Sequence, residues 1–275
     1  MSERHRPIWC PTYFHQTDMQ HWTSVLSLGW LLFLREFRFI YRQTLLGGVW
    51  PILRATLTGI PFIFVGRHFS MGLKAAYPYE LYALAGFIYW QVLWDTINLA
   101  QFMAYRLRMV MRDTYVPHRA ILLAAVSHVA FNLVVYVVMF VVACFFFKFL
   151  PAPTTILCLT TIPLMVLTGL SIAIFIFPFT FIFNDFRFAT PYLSSALVWC
   201  VPVFYQMPSE GLLHLLNKWN PMTYLVNIPR DWVLEGWHTS HWIYFPSMAL
   251  VVAVFIIAER FVFRAIPIMT ERIPR

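Results

Sequence analysis

Apolar positions along this chain fall into long runs rather than a strict alternation. Runs near 47–64, 81–104, 120–147, 155–183 and 242–259 approach or exceed the ~20 residues that cross a hydrocarbon core. A further run begins at about Pro191 and is broken. From Trp199 it reads WCVPVFYQMPSEGLLHLLNKWNPMTYLVNIPRD, with breaks at Pro202 and Pro208 and a turn at Ser209-Glu210-Gly211. A short piece follows with Leu212, Leu213, Leu215 and Leu216, then a second break at Asn220-Pro221. Each piece is too short to span a bilayer and too apolar for an ordinary soluble loop. The pattern predicts an all-α integral membrane protein with six transmembrane helices and a re-entrant outer hairpin, 206–231, between spans five and six. Broken backbone of this kind is tolerated at membrane depth only where protein or a water-filled cavity surrounds it. Pro208, Asn220 and Pro221 are therefore candidate gate residues. A loop lying in the headgroup layer is the alternative.

The region before the first span has a different pattern. Residues 1–21 are a polar arm with no apolar core. Over 22–45, Arg35, Arg38 and Arg42 share one helical face, and Phe33, Phe37, Ile40 and Thr44 the opposite one. A basic face against an aromatic face predicts an N-terminal amphipathic helix at the membrane interface. The same arginines also suit a plain juxtamembrane patch on anionic lipid. The six-span domain is expected over 46–263, with a basic loop at 105–119 and a tail at 264–275.

Composition agrees with a membrane protein. Of 275 residues, 60% are hydrophobic and 12% charged, against about 25% charged in soluble domains. Mean hydropathy is +0.67. The net charge of +8 marks a membrane side in such a chain rather than a nucleic-acid partner. Fourteen of the twenty basic residues fall on the side holding both termini, 105–119 and Arg187; the other side holds Arg67, Lys74, Lys148, Lys218 and Arg230. Both termini are therefore expected in the cytoplasm. The four cysteines show no C-x-x-C spacing.

Chemistry inside the spans is sparse. Gln91, Asp95, Asn98 and Gln101 make a polar stripe on span two, and Phe87, Trp90 and Trp94 an aromatic one. Trp199 and Tyr205 add aromatic rings near the break. A flat apolar face beside hydrogen-bonding groups suits a gliding sugar ring, so these eight residues (Gln101 apart) form a candidate translocation path; core and interface-belt packing is the plainer reading. Asp95 is expected to face a partner or a wet cavity, and Arg54 in span one is the proposed partner. No Walker A, H-E-x-x-H or G-x-S-x-G motif occurs, so no catalytic or metal residue is assigned. Asp113 and Asp185 each lie beside an arginine, which favours docking or structure over catalysis.

Three motifs resemble the membrane subunits of ABC-2 type polysaccharide exporters, the family of O-antigen, capsule and teichoic acid permeases. They are Leu34-Arg35-Glu36-Phe37 with Tyr41 through Leu53, then Tyr115-Val116-Pro117-His118-Arg119, then Pro202-Val203-Phe204-Tyr205 with Asn220-Pro221-Met222. The family usually has Gln or Glu followed by Pro where this chain has Arg54-Ala55. The resemblance implies a homodimer in a bacterial inner membrane, joined to two ATP-binding cassette subunits that carry the ATP and Mg. Arg35, Arg38, Arg42, Arg108, Arg112 and Asp113 would dock those subunits. The cargo would be a lipid-linked polysaccharide moved outward through an outer gate. An ABC-2 exporter of a lipid or small drug, or a membrane-embedded transferase, is the rival expectation.

Overall fold

The structure is a computed structural model that describes residues 18–42, 44–53, 56–57, 60–61, 64, 77–113, 116–183, 185–238 and 242–271; at some helical positions only the backbone is described. Among the described residues the regular structure is entirely helical. We label the helices α1 (Asp18–Tyr41), α2 (Tyr79–Asp113), α3 (His118–Phe146), α4 (Cys158–Ile182), α5 (Asp185–Leu197), α6 (Leu212–Trp219), α7 (Pro221–Leu234) and α8 (Tyr244–Glu271). Three helical stretches are long and apolar enough to cross a membrane: His118–Phe146, Pro153–Thr180 and Tyr244–Ala265. These correspond to expected spans three, four and six. Of expected span one, residues 47–53, 56–57, 60–61 and 64 are described, helical at each of these positions, while Arg54 lies outside the described residues.

Helix α2 is the axis of the bundle. It packs against α3, α4 and α5, and against α7 near its start, while α8 covers α4. At 35 residues α2 is the longest helix, and it continues through the first nine residues of the stretch expected as a loop. Glycine sets one close approach: a Cβ on Gly169 would meet Thr96 Cβ at 2.7 Å and the Leu93 carbonyl oxygen at 2.8 Å. Helices packed without a water-driven hydrophobic effect depend on such small-residue contacts.

Helix α1 advances along α3 in the same direction. Trp22 lies beside Arg119, Gly29 beside Ala120 and Leu123, and Phe37 beside Phe131. A Cβ on Gly29 would stand 2.6 Å from Leu123 Cδ2, so α1 is laid tightly on α3. The expected aromatic face of α1 is the one used. Phe33, Phe37 and Tyr41 close with Phe131 around His128, at centroid distances of 5.8–6.5 Å. His128 is thus packed among aromatic rings.

The apolar core has two clusters. One runs from Tyr77 to Ile97 on α2, with Tyr136, Val203, Phe204, Trp232 and Tyr244. The other holds Ala100, Met103 and Leu107 with Val25, Phe33, Ile121 and Phe177. Asp95 and Gln101 bracket the junction between them.

Candidate functional site

Two polar assemblies are built on α2. The first is the junction band. Asp95 is 4% exposed, and its Oδ2 accepts from Asn132 Nδ2 at 2.8 Å and from the Tyr136 hydroxyl at 2.6 Å. Asn132 and Tyr136 stand four residues apart on α3, so one helical face supplies both donors. Gln101 turns instead toward α4, donating to the Ala173 carbonyl at 2.9 Å and pairing with the Thr180 hydroxyl. The polar stripe therefore does not share a single environment: Asp95 ties α2 to α3, Gln101 ties it to α4, and Gln91 and Asn98 remain half-buried.

The second assembly is the break. Helix α5 and the following turn Val198–Cys200 end at Val201, where the backbone becomes extended. The thirteen residues of α5 rise about 20 Å, short of a hydrocarbon core of about 30 Å. The chain then folds against the first turns of α2. Tyr79 donates to the Phe204 carbonyl at 2.6 Å and Tyr82 to the Tyr205 carbonyl at 3.0 Å. Gly86 permits the contact, since a Cβ there would stand 2.7 Å from the Val203 carbonyl oxygen.

Arg230 on α7 completes this clamp. It is 3% exposed. Its Nη1 donates to the Pro202 carbonyl at 2.9 Å and to Val203 at 3.4 Å, and its Nη2 donates to Asn227 Oδ1 at 2.8 Å. Backbone carbonyls left over by the broken helix thus find charged donors, as buried polar groups require. Asp231 pairs with Arg230 at 3.9 Å. Burial pushes the Asp231 carboxyl up to about 6 despite that guanidinium, and Glu235 adds to the rise. Tyr77 donates to Glu235, and burial followed by that hydrogen bond holds its phenol well above the usual tyrosine range.

The gate candidates stand at the joints of this segment. His214 Nδ1 lies 2.8 Å from the Pro208 carbonyl, closing the turn before α6. Asn220 caps α7, its Oδ1 accepting from Met222 N at 3.0 Å with Pro221 in the first helical position, where a missing N–H is harmless. The expected breaks at 202–211 and 220 are both present. Helix α7 is fixed in turn to the α3–α4 connection: Ala152 N donates to the Val233 carbonyl at 3.0 Å and Thr154 to the Trp232 carbonyl at 2.5 Å.

The candidate path residues separate by exposure. Phe87, Trp90 and Trp94 are buried within the chain; Phe87 meets Phe204 at 6.0 Å and Trp90 meets Trp94 at 5.7 Å. The Trp94 indole N–H is buried and has no acceptor among the described residues. Trp199 is exposed, and the Tyr205 hydroxyl reaches back to the Trp199 carbonyl at 2.9 Å and takes a bond from Asn217.

The candidate docking residues gather less closely. Arg38 on α1 and Arg42 just past its end are exposed. The side chains of Arg108, Arg112 and Asp113 lie outside the described residues. Glu36 is the unanticipated member: 1% exposed, it bonds Arg35 at 2.8 Å and pairs with Arg106 of α2 at 3.0 Å. Arg106 also lies over the Phe39 ring at 3.8 Å. Sequence reasoning missed Glu36, Arg106, Asn132, Tyr136 and Arg230 as partners. Only Asn132 and Tyr136 carried a signal, two polar residues at i, i+4 in an apolar run. Among the described residues no three His, Cys, Asp or Glu side chains group to hold a metal ion. Compared with known proteins, the chain matches no family model, and no curated protein matches it.

Proposed function

We propose that this chain is the transmembrane permease subunit of an ATP-driven exporter that moves a lipid-linked polysaccharide out of the cytoplasm of a bacterium. The observation that carries the reading is the broken segment after α5, folded back on the start of α2 and held there by Arg230, Tyr79 and Tyr82. A span that stops short and turns back beside the helix carrying Gln91, Asp95 and Asn98 suits a gate at one mouth of a path.

In this reading six spans cross the membrane: one within 47–64, then α2, α3, α4, the α5 run and α8. Helix α2 need not be uniformly apolar, because α3 and α4 shield it from lipid. The half-buried Gln91 and Asn98 and the exposed Trp199 contribute to a path completed by a second copy of the chain. ATP and Mg belong to two cassette subunits on the cytoplasmic side, with Arg35, Arg38 and Arg42 among the docking contacts. The Glu36–Arg106 pair joins α1 to the far end of α2, so displacement of α1 by those subunits is passed to the axis of the bundle.

Affinity purification of the tagged chain in mild detergent tests this. The expected result is a stoichiometric subunit bearing a Walker A motif, together with ATP-dependent uptake of a lipid-linked glycan by inverted vesicles. A homo-oligomer without ATPase overturns it.

A further inference from the structure

A cavity distant from the break lies where α1, α3, α4 and α8 meet. Its volume is about 300 Å3. Leu26, Leu122, Val126, Leu170 and Phe255 supply apolar walls, one or more from each helix, and the two charged lining residues are Arg119 and Glu259. Three of the four helices, α3, α4 and α8, fall in stretches apolar and long enough to cross a membrane. Arg119 is the second residue of α3, at one end of that helix. The cavity thus joins a greasy groove to a charged pair at one end of a helix long and apolar enough to cross a membrane.

The charges are arranged asymmetrically. Glu259 Oε2 receives both Arg119 Nη2, at 3.4 Å, and His118 Nε2, at 3.3 Å. Glu259 Oε1 takes no hydrogen bond or ion pair among the described residues, and it is not among the buried oxygens lacking a partner. Arg119 is 42% exposed on its side chain, and its guanidinium carbon lies 5.1 Å from the Trp22 ring centroid. Only Nη2 is engaged by a carboxylate, and the part-exposed guanidinium keeps further donors for a ligand. A cationic fork and an available carboxylate oxygen stand side by side, above apolar walls.

We propose that this groove holds a zwitterionic aminophospholipid of the surrounding membrane, with an acyl chain along the α3–α4–α8 wall, its phosphate on Arg119 and its primary ammonium on Glu259. Arginine matches a phosphate diester with several donors in one plane, and charged pockets between spans at a membrane surface are where headgroups bind. The ammonium discriminates. A glycerol headgroup offers hydroxyls but no cation to pair with the Glu259 carboxylate, and a choline headgroup has a cation but no N–H to give Oε1. Free phosphate leaves the apolar walls unfilled. The inference requires only that α3 and α8 lie in a membrane and is independent of what the protein moves.

The test uses the full-length chain, stripped of lipid in detergent and returned to phosphatidylethanolamine, phosphatidylcholine or phosphatidylglycerol of matched chains. Native mass spectrometry reads retained lipid and a thermal melt reads stabilisation. Phosphatidylethanolamine should be retained through detergent exchange and raise the melting temperature; the other two should show at least about tenfold weaker retention. Arg119→Gln and Glu259→Gln should each abolish that preference, while Arg119→Lys, which keeps the cation, should retain part of it. Equal retention of all three lipids, preference for phosphatidylglycerol, or an equal melting shift with inorganic phosphate alone would overturn the proposal. The wild-type lipid series decides the matter even where a variant fails to fold.

Discussion

The guanidinium carbon of Arg230 sits 3.7 Å from the centroid of the Tyr82 ring. The same tyrosine donates its hydroxyl to the Tyr205 carbonyl, and the same arginine donates to the carbonyls of Pro202 and Val203. Ring and cation thus grip one strand of backbone from two sides. Leaving a buried carbonyl unpaired costs about 1–3 kcal/mol, and a desolvated cation–π contact adds about 2 kcal/mol. Arg230→Gln should therefore lower the melting temperature and raise labelling of a cysteine placed at Gln206. Arg230→Lys should recover part of the stability, since it restores the charge but not the fork. Unchanged labelling in Arg230→Gln would show that the segment is held elsewhere.

Gly86 tests the same contact from the other side. A methyl group there must displace the Val203 carbonyl, 2.7 Å away. That oxygen is backbone and cannot rotate aside. Gly86→Ala should release the segment as Arg230→Gln does, with Arg230 intact. Wild-type labelling at position 206 would contradict the geometry.

Glu36 is a buried carboxylate shared by Arg35 and Arg106. Breaking a buried pair typically costs about 3–5 kcal/mol, though Arg106 is partly exposed and the loss at this site should fall below that range. In the transport reading Glu36→Gln should lower glycan export more than ATPase co-purification. Equal losses in both would place Glu36 in assembly rather than in coupling.

Asp95 and Tyr136 should be energetically coupled. A hydrogen bond to a charged acceptor contributes about 1.5–3 kcal/mol. Tyr136→Phe should destabilise the wild type clearly and an Asp95→Asn background much less, with a non-additive term above about 0.5 kcal/mol. Additive losses in denaturation would mean that the Tyr136 hydroxyl acts through some other partner.

Asp231 gives a pH dependence with a definite sign. Its carboxyl is raised to about 6 by burial, from an unfolded value near 4. The folded state therefore binds more protons, so this residue's stabilising contribution is full below about pH 4 and lost as pH rises through about 6. Asp231→Asn should melt higher than wild type at pH 8, and the gap should close by about pH 4. A gap of constant size across that range would show that the carboxylate is not what is being relieved.

The sequence made some of this plain. Pro202, Gly211 and Asn220-Pro221 punctuate the chain where the backbone does break, because a missing N–H or a positive φ acts locally; Gly211 has φ +91. The aromatic face of α1 was also legible, since helical period alone places Phe33 and Phe37 together. What the pattern could not carry was which neighbour a polar side chain meets. Asp95 and Gln101 lie on one stripe of α2 yet turn to different helices, because α3 and α4 approach that stripe from two sides. Arg230 looked like a surface charge by sequence. Only the fold brings it to carbonyls 28 and 27 residues earlier.

One feature of α2 bears on how the protein is made. This helix contributes more to the buried core than any other, yet it is absent from the three stretches apolar enough to cross a membrane unaided. An aspartate near the centre of a span disfavours insertion by about 2.5–3.5 kcal/mol. Helix α2 also leaves the ribosome before α3, which supplies Asn132 and Tyr136. In the six-span reading, its entry into the bilayer therefore waits at the translocon for the next span. The two would enter as a hairpin, with the Asp95 contacts formed during biogenesis rather than after it.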